Sequence, residues 1–141
     1  MIQELMIIDQ AGIALFYQNL VDNEILDDEQ TLASYFDIIC KFTKREFKES
    51  LKFLTLDSSI FFFYTHKSQY HLVLKCDNEN INRKQLEKFS ETVIEDFLKT
   101  YEDFLKDFNG EISHFKSFSK EIMNILASKY EKFKDLLIIE R

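Results

Sequence analysis

The chain has 141 residues, a length typical of one domain, and 45% of them are hydrophobic while 30% are charged. This composition predicts a soluble globular protein rather than a disordered one. The formal net charge is -7, and residues 1 to 40 contain several carboxylates but neither lysine nor arginine. Because a general nucleic-acid binder needs a basic face to neutralise phosphates, nucleic acid is not expected as a partner.

The sequence shows neither a membrane span nor a targeting segment. No uninterrupted apolar stretch approaches the roughly 20 residues that cross a bilayer, and the N-terminus lacks the basic and apolar regions of a signal peptide. Cys40 and Cys76 lie far apart in apolar surroundings, without CxxC pairing. These features predict a cytoplasmic protein with two buried thiols.

The opening stretch predicts a β-hairpin. The runs Leu5 to Ile8 and Ile13 to Tyr17 are rich in strand formers, and Asp9 to Gly12 separates them. Gly12 permits a positive φ, and the Asp9 side chain can accept backbone hydrogen bonds across the bend.

Residues 22 to 50 predict the first helix. The apolar side chains recur every three to four residues, as one buried helix face requires. That predicted core face consists of Leu32, Phe36, Ile39, Thr43 and Phe47. Acidic residues stand at the start of the segment and basic residues at its end, where the helix dipole favours each sign.

Three short apolar runs follow, at residues 51–56, 60–64 and 71–76, and the connections between them are too short for crossovers. The natural arrangement is an antiparallel meander. The middle run, IFFFY, is apolar at consecutive positions, which predicts a strand buried on both faces. Helices should therefore cover both sides of the sheet.

The remaining chain predicts two more helices. One is capped by Asn82 and continues at helical spacing to a stop at Gly110. The element order is thus β-β-α-β-β-β-α-α in a single α/β (α+β) sandwich domain over residues 1–141. The last helix starts near Ser117 and carries apolar residues at Ile122, Ile125, Leu126, Phe133, Leu136 and Leu137.

No catalytic constellation is found. The two glycines stand far apart, which excludes a P-loop, and neither cysteine has a neighbour that would stabilise a thiolate. His66 and His71 flank one predicted turn and are expected to be exposed there, with no third ligand spaced to complete a zinc site. We therefore predict no enzyme activity, no cofactor and no metal.

The end of the first predicted helix has two interpretations. The charges there either stabilise the helix end, or they anchor the chain to an acidic protein surface or to anionic lipid headgroups. These basic residues follow one side of the helix and are interleaved with two aromatic ones: Lys41, Lys44, Arg45 and Lys48, with Phe42 and Phe47.

Three segments in this order resemble the longin domain of membrane-trafficking proteins. They are IIDQAGIALF at residues 7–16, DDEQTLASYFDIICKF at 27–42 and FLKTYEDFLKDFNGEISHFKSF at 97–118. The resemblance covers essentially the whole chain. It implies a longin/profilin-like five-stranded antiparallel sheet in the order 2-1-5-4-3, with one helix on one face and two on the other.

The resemblance also implies a non-catalytic interaction module, because longin domains bind SNAREs, small GTPases, coat subunits or one another. The sequence has no heptad repeat or anchor of a SNARE, so we expect an adaptor-like protein of vesicle trafficking or small-GTPase regulation. Membrane association would then be peripheral and through a partner. The bias towards Lys, Ile, Phe and Asn also suits an archaeal relative.

The expected partner is a small GTPase, another longin-like protein or a second copy of the chain. In the longin order, residues 51–56 form an outer edge strand that can pair with another chain. The interaction candidates on the first helix and this strand are Phe42, Lys44, Arg45, Phe47, Lys48, Lys52, Leu54 and Thr55.

A PAS-like sensory domain is the alternative, since it shares the antiparallel sheet order and could hold a small ligand in an aromatic pocket. PAS domains place several short helices between strands two and three. Here one long predicted helix occupies that gap, which favours the longin interpretation.

Overall fold

The structure is a computed structural model that describes residues 2–22, 27–77 and 82–128. Its strands are β1 (Ile2–Asp9), β2 (Ala14–Asn19), β3 (Phe53–Thr55), β4 (Ser59–His66) and β5 (Tyr70–Asp77). Its helices are α1 (Glu29–Phe47), α2 (Arg83–Thr100), α3 (Glu102–Lys106), a 3-10 helix (Ser113–Ser117) and α4 (Phe118–Ser128).

The strands form one antiparallel sheet in the order β2-β1-β5-β4-β3, as the longin resemblance implies. β1 pairs on both sides, so its residues have neighbours on two strands. Met6, for example, is opposite both Tyr17 on β2 and Val73 on β5. The third strand is shorter than predicted and lies at the edge.

The sheet separates two apolar cores. Leu5 belongs to the core covered by α2, the 3-10 helix and α4, whereas the next residue, Met6, belongs to the core under α1. The neighbours Phe62 and Phe63 on β4 likewise lie in opposite cores, and both are buried. The two-sided burial predicted from IFFFY is confirmed.

The turn between β1 and β2 is the predicted one. The Asp9 Oδ1 atom accepts hydrogen bonds from the backbone N–H of Ala11 at 2.9 Å and of Ile13 at 3.0 Å. Gly12 has a φ of 83°, a left-handed conformation that glycine adopts without steric cost. Asp9 and Gly12 therefore both have the roles that the sequence indicates.

Polar contacts hold α1 against the sheet and the β1–β2 turn. The helix begins after Asp28, whose side chain accepts the Thr31 N–H at 3.1 Å. The Gln30 side-chain amide bonds both backbone groups of Ala14 on β2, at 2.9 Å and 3.0 Å. Further along, the Lys41 ammonium donates to the carbonyl of residue 10 in the turn at 2.7 Å.

The prediction that Phe47 lies on the core face of the first helix is wrong. Its side chain is 64% exposed, and every residue from Lys44 to Ser50 is exposed. The last turn of α1 therefore extends beyond its core, and Phe47 has no apolar interior to enter.

The prediction of a single helix from Asn82 to Gly110 is also wrong, because α2 ends at Thr100. Tyr101 is buried, and its hydroxyl lies 2.5 Å from Ser117 Oγ. Tyr101 stands between α2 and the short helix α3, and this contact connects it to the 3-10 helix. The aromatic rings that surround the Tyr101 ring are Phe97, Phe104, Phe115 and Phe118.

The last helix begins close to the predicted position, since α4 starts at Phe118. Ile122 and Ile125 are buried in the core, as the spacing predicts, and Leu126 packs against it. The predicted positions Phe133, Leu136 and Leu137 lie outside the described residues.

The expectation of an exposed His71 is wrong, because this residue is buried on β5. Its Nδ1 lies 2.9 Å from the Thr65 hydroxyl, and its Nε2 lies 3.4 Å from Asp37 Oδ1. Asp37 is itself buried and pairs through Oδ2 with Lys41 at 2.7 Å. A neutral imidazole that carries its proton on Nε2 suits both neighbours of His71.

This burial predicts a pH-dependent stability. Desolvation lowers the pKa of His71 below its ordinary value, and although Asp37 opposes this shift, the net direction is down. The unfolded chain therefore takes up a proton near pH 6.5 that the folded protein resists. The free energy of unfolding should fall as the pH drops below about 6.5.

Urea denaturation between about pH 5.5 and pH 7.5 measures this effect. His71→Gln should remove this component of the pH dependence, whereas His114→Gln, at an exposed position, should retain it. An unchanged slope in His71→Gln would contradict the assignment.

A second prediction concerns Gly12. An added Cβ would lie 3.2 Å from Asp37 Oδ2, which Lys41 holds in place, whereas an added Cβ at Gly110 meets nothing within 4 Å. Both glycines have positive φ, so each change to alanine should cost about 1–2 kcal/mol in backbone strain. We expect Gly12→Ala to lose at least about 1 kcal/mol more than Gly110→Ala by chemical denaturation. Equal losses would show that the Asp37 contact is unimportant.

Candidate functional site

The solvent side of α1 carries a row of exposed apolar side chains, which we call the outer stripe. It consists of Tyr35, Ile38 and Phe42, extended by Phe47 in the last turn of α1, beyond the end of the core. The first three recur at helical spacing, and the exposed fractions in the stripe run from 49% for Phe42 to 64% for Ile38. α1 is therefore apolar on two sides, one of which is packed on the sheet while the other faces solvent.

Two aromatic rings of the outer stripe are close to each other and to a cation. The Phe42 and Phe47 ring centroids lie 6.4 Å apart in an edge-to-face arrangement, and the Arg45 guanidinium lies 5.6 Å from the Phe42 centroid. Arg45 also pairs with Glu46 at 2.9 Å. This end of α1 thus presents aromatic groups bordered by charge.

The other basic candidates have different surroundings. The Lys48 ammonium donates to the Arg45 carbonyl at 2.7 Å, so it contributes to closing the end of the helix. Lys44 is exposed and lines a cavity between α1 and the sheet. The four cations predicted on one helical side therefore have different partners, and Lys41 forms an ion pair with the buried Asp37.

β3 presents an open backbone edge. Next to this strand, the Leu56 N–H donates to the Ser59 carbonyl at 2.8 Å, and the Lys52 carbonyl accepts from the Phe63 N–H at 2.9 Å. Backbone groups alternate in direction along an antiparallel strand, so residues 53 and 55 direct theirs away from β4. Within the described residues, no further strand follows β3 in the sheet order.

The side chains of β3 divide between core and surface. Lys52 and Thr55 are exposed, as an interface role requires, whereas Leu54 is partly buried against the core under α1. Leu54 therefore contributes to the core, a role that the sequence analysis did not assign to it when it named Leu54 as an interaction candidate.

Sequence reasoning missed Tyr35 and Ile38, although a signal for them was present. Residues 35, 38 and 42 form a second set at helical spacing, offset from the set that contains Leu32 and Phe36. Two offset apolar sets on one helix indicate that the helix has two partners, one of which is its own core.

A cavity of about 130 Å³ lies between α1 and the sheet, where apolar groups such as Met6, Phe36 and Val73 meet the 3.0 Å ion pair of Glu4 and Lys75. Typical ligand pockets measure roughly 300–1,000 Å³. This cavity is too small for a drug-sized ligand, so it is not the aromatic ligand pocket that the PAS-like alternative requires.

The thiols have the properties of buried structural groups. Burial, with a smaller contribution from Asp37, raises the pKa of Cys40 to about 12, and burial raises the pKa of Cys76 to about 11. In the part of the chain that the structure describes, no three metal-ligating side chains are grouped together, and none of the helices is long and apolar enough to cross a membrane.

No family model matches the sequence, and no curated protein matches it either. Solved structures are similar in fold. MglB from Myxococcus xanthus has a TM-score of 0.56 and 17% identity, with 70% of this chain and 85% of that chain covered. The gliding protein MglB from Thermus thermophilus has a TM-score of 0.47 and 15% identity, with 57% of this chain covered. The match spans 64% of the Thermus chain, less than two thirds of it.

The sheet order and the placement of the helices agree with the expectation from the longin resemblance, and the Myxococcus structure supports the same architecture. The chain has a longin-like α+β fold.

Proposed function

We propose that this chain is a non-catalytic protein-interaction module that binds its partner through the outer stripe of α1 and the open edge of β3. The partner is a small GTPase or another longin-like chain, and the role is in vesicle trafficking or small-GTPase regulation. Membrane association in this proposal is peripheral and through the partner. The buried thiols suit the reducing cytoplasm in which such partners occur.

One observation carries the proposal: α1 exposes an apolar row on the side opposite its core. Single exposed apolar residues are ordinary, but a row that follows one side of a helix over two turns is typical of a binding surface. Aromatic side chains bordered by arginine are also the groups that contribute most at protein interfaces.

The edge of β3 supplies a second, independent means of recognition. Its outward backbone groups can hydrogen-bond to a strand from another chain, and Lys52 is a weak protection against such pairing. The end of α1 is followed by β3 after residues 48–52, so Phe47 and the start of the strand edge are close in the chain, and the proposal assigns both to one partner.

The comparison with solved structures supports the proposal through fold alone. The Myxococcus neighbour shares the longin-like architecture with this chain, and the resemblance to longin domains implies a small GTPase among the possible partners. The proposal assigns this chain a regulatory binding role, with GTP hydrolysis carried out by the partner.

Replacement of the outer stripe tests the helix surface. Ile38→Asp combined with Phe42→Asp places two carboxylates on the stripe, and we expect a loss of at least about tenfold in affinity for the partner, or for a second copy in sedimentation equilibrium. Circular dichroism should remain unchanged because both side chains are exposed.

The matched control is Met123→Asp on α4, where an equally exposed apolar side chain stands on the opposite face of the molecule. It should leave association unchanged. If both variants fold and bind alike, the outer stripe is not the interface.

The edge of β3 is tested by Thr55→Pro. This change removes an outward N–H without breaking a bond to β4, so the fold should persist while edge pairing weakens. Thr55→Val retains the N–H and a β-branched shape, and it should associate like the unchanged chain. Equal association of the proline and valine variants, measured by sedimentation, would remove the strand edge from the proposal.

For the GTPase partner, the chain should be purified from its native cell and any co-purifying GTPase identified. That GTPase should then bind the pure chain directly and should lose binding to the variant that combines Ile38→Asp with Phe42→Asp. Binding that is equal for this variant and the Met123→Asp control would refute the assigned surface.

A further inference from the structure

A second and larger cavity lies beside the C-terminal half of α1. It has a volume of about 320 Å³ and is walled by α1, by the connection that follows α1, and by the turn between β4 and β5. This volume is within the range of pockets that bind small molecules, roughly 300–1,000 Å³.

The walls of this cavity carry positive charge. Lys44 on α1 and Lys67 on the β4–β5 turn contribute one ammonium group each, and Lys41 contributes a third beside the buried Asp37. Lys41 and Asp37 neutralise each other, which leaves a local excess of two positive charges. No carboxylate belongs to the described residues that line the cavity, although the chain as a whole carries a net charge of -7.

The lining also supplies neutral donors. The hydroxyls of Ser50 and Ser68 lie on two separate connections of the chain. Lys44, Ser50, Lys67 and Ser68 are all exposed, and within the part of the chain that the structure describes their ammonium and hydroxyl groups have no hydrogen-bond or ion-pair partner in the protein. They are therefore available to a ligand that enters the cavity.

The backbone of the turn is held in an uncommon conformation. Lys67 and Ser68 both have left-handed φ angles, 49° and 58°, which non-glycine residues rarely adopt in succession. The turn is closed by a bond from the Gln69 N–H to the His66 carbonyl at 3.0 Å. The side chains of Lys67 and Ser68 thus line the cavity from a backbone conformation that glycine or asparagine would adopt more easily.

We propose that this cavity binds a phosphate group, held by Lys44, Lys67 and the hydroxyls of Ser50 and Ser68. The ligand is a small phosphorylated compound or a phosphorylated lipid headgroup, since both present the same dianionic group. This binding is additional to the protein-interaction role of the outer stripe.

Phosphate fits this lining better than a carboxylate does. A carboxylate offers two oxygens in one plane and a single charge, whereas a phosphate monoester offers three oxygens in a tetrahedral arrangement and nearly two charges. The donors here come from three separate walls, and the two lysines among them are uncompensated. Lysine binds phosphate as a point charge and needs no planar geometry.

The test uses the isotopically labelled full chain and inorganic phosphate as the probe. Amide resonances of Ser50, Lys67 and Ser68 should shift and saturate when phosphate is added at constant ionic strength. An equal response to acetate would overturn the assignment to phosphate.

Paired lysine variants separate the site from the general effect of charge. Lys44→Gln combined with Lys67→Gln should weaken phosphate binding at least about tenfold. Lys84→Gln combined with Lys88→Gln removes the same charge from exposed positions on α2 and should leave the affinity unchanged. Equal weakening by the two pairs would overturn the site.

Vesicles distinguish the two sources of the phosphate group. Lysine-dependent co-sedimentation with phosphatidylcholine vesicles that contain phosphatidylinositol phosphate would support a headgroup, and saturation by soluble phosphate without vesicle binding would support a free compound. The absence of both saturable shifts and lysine-dependent vesicle binding would overturn the site itself.

Discussion

The structure depends on a sheet whose strands are apolar on both faces. β1, β4 and β5 each send large side chains into two cores, so exposure of either face to water would remove much of the stabilising burial. One face is shared by α2, the 3-10 helix and α4, whereas the other is covered by α1. The position of α1 is therefore the constraint on which the second core and the candidate surface both rest.

Polar contacts as well as apolar ones hold α1 in its position on the sheet. Gln30 bonds the backbone of Ala14, while Lys41 connects the β1–β2 turn to the buried Asp37, which in turn faces His71. Contacts of this kind need specific geometry, so they fix the rotation of the helix about its own axis. That rotation determines which side chains remain outside, and the outer stripe is its direct result.

The sheet order agrees with the longin resemblance. The β1–β2 turn could be predicted because it depends on the local chemistry of a few residues, and the first helix because its apolar residues recur at helical spacing. The break at Tyr101 could not, since the aromatic pattern continues at helical spacing while the ring packs against Phe115 and Phe118, which are distant in sequence. The burial of His71 escaped prediction for a related reason, since the ring faces Asp37 on α1, which is distant in sequence. The sequence identified the basic and aromatic candidates at the end of α1. Only the structure shows which of them lie on the surface, which line the cavity and which pair with core residues.

The central claim is that the solvent side of α1 and the edge of β3 form one binding surface. Hydrogen–deuterium exchange measures this most directly, with the chain compared in dilute solution, at high concentration and with a co-purified GTPase. The account predicts that association slows exchange in α1 and around Phe53 to Thr55, with α2 and α4 unaffected. Protection confined to α2 and α4, with α1 and β3 exchanging as in the free chain, would contradict it.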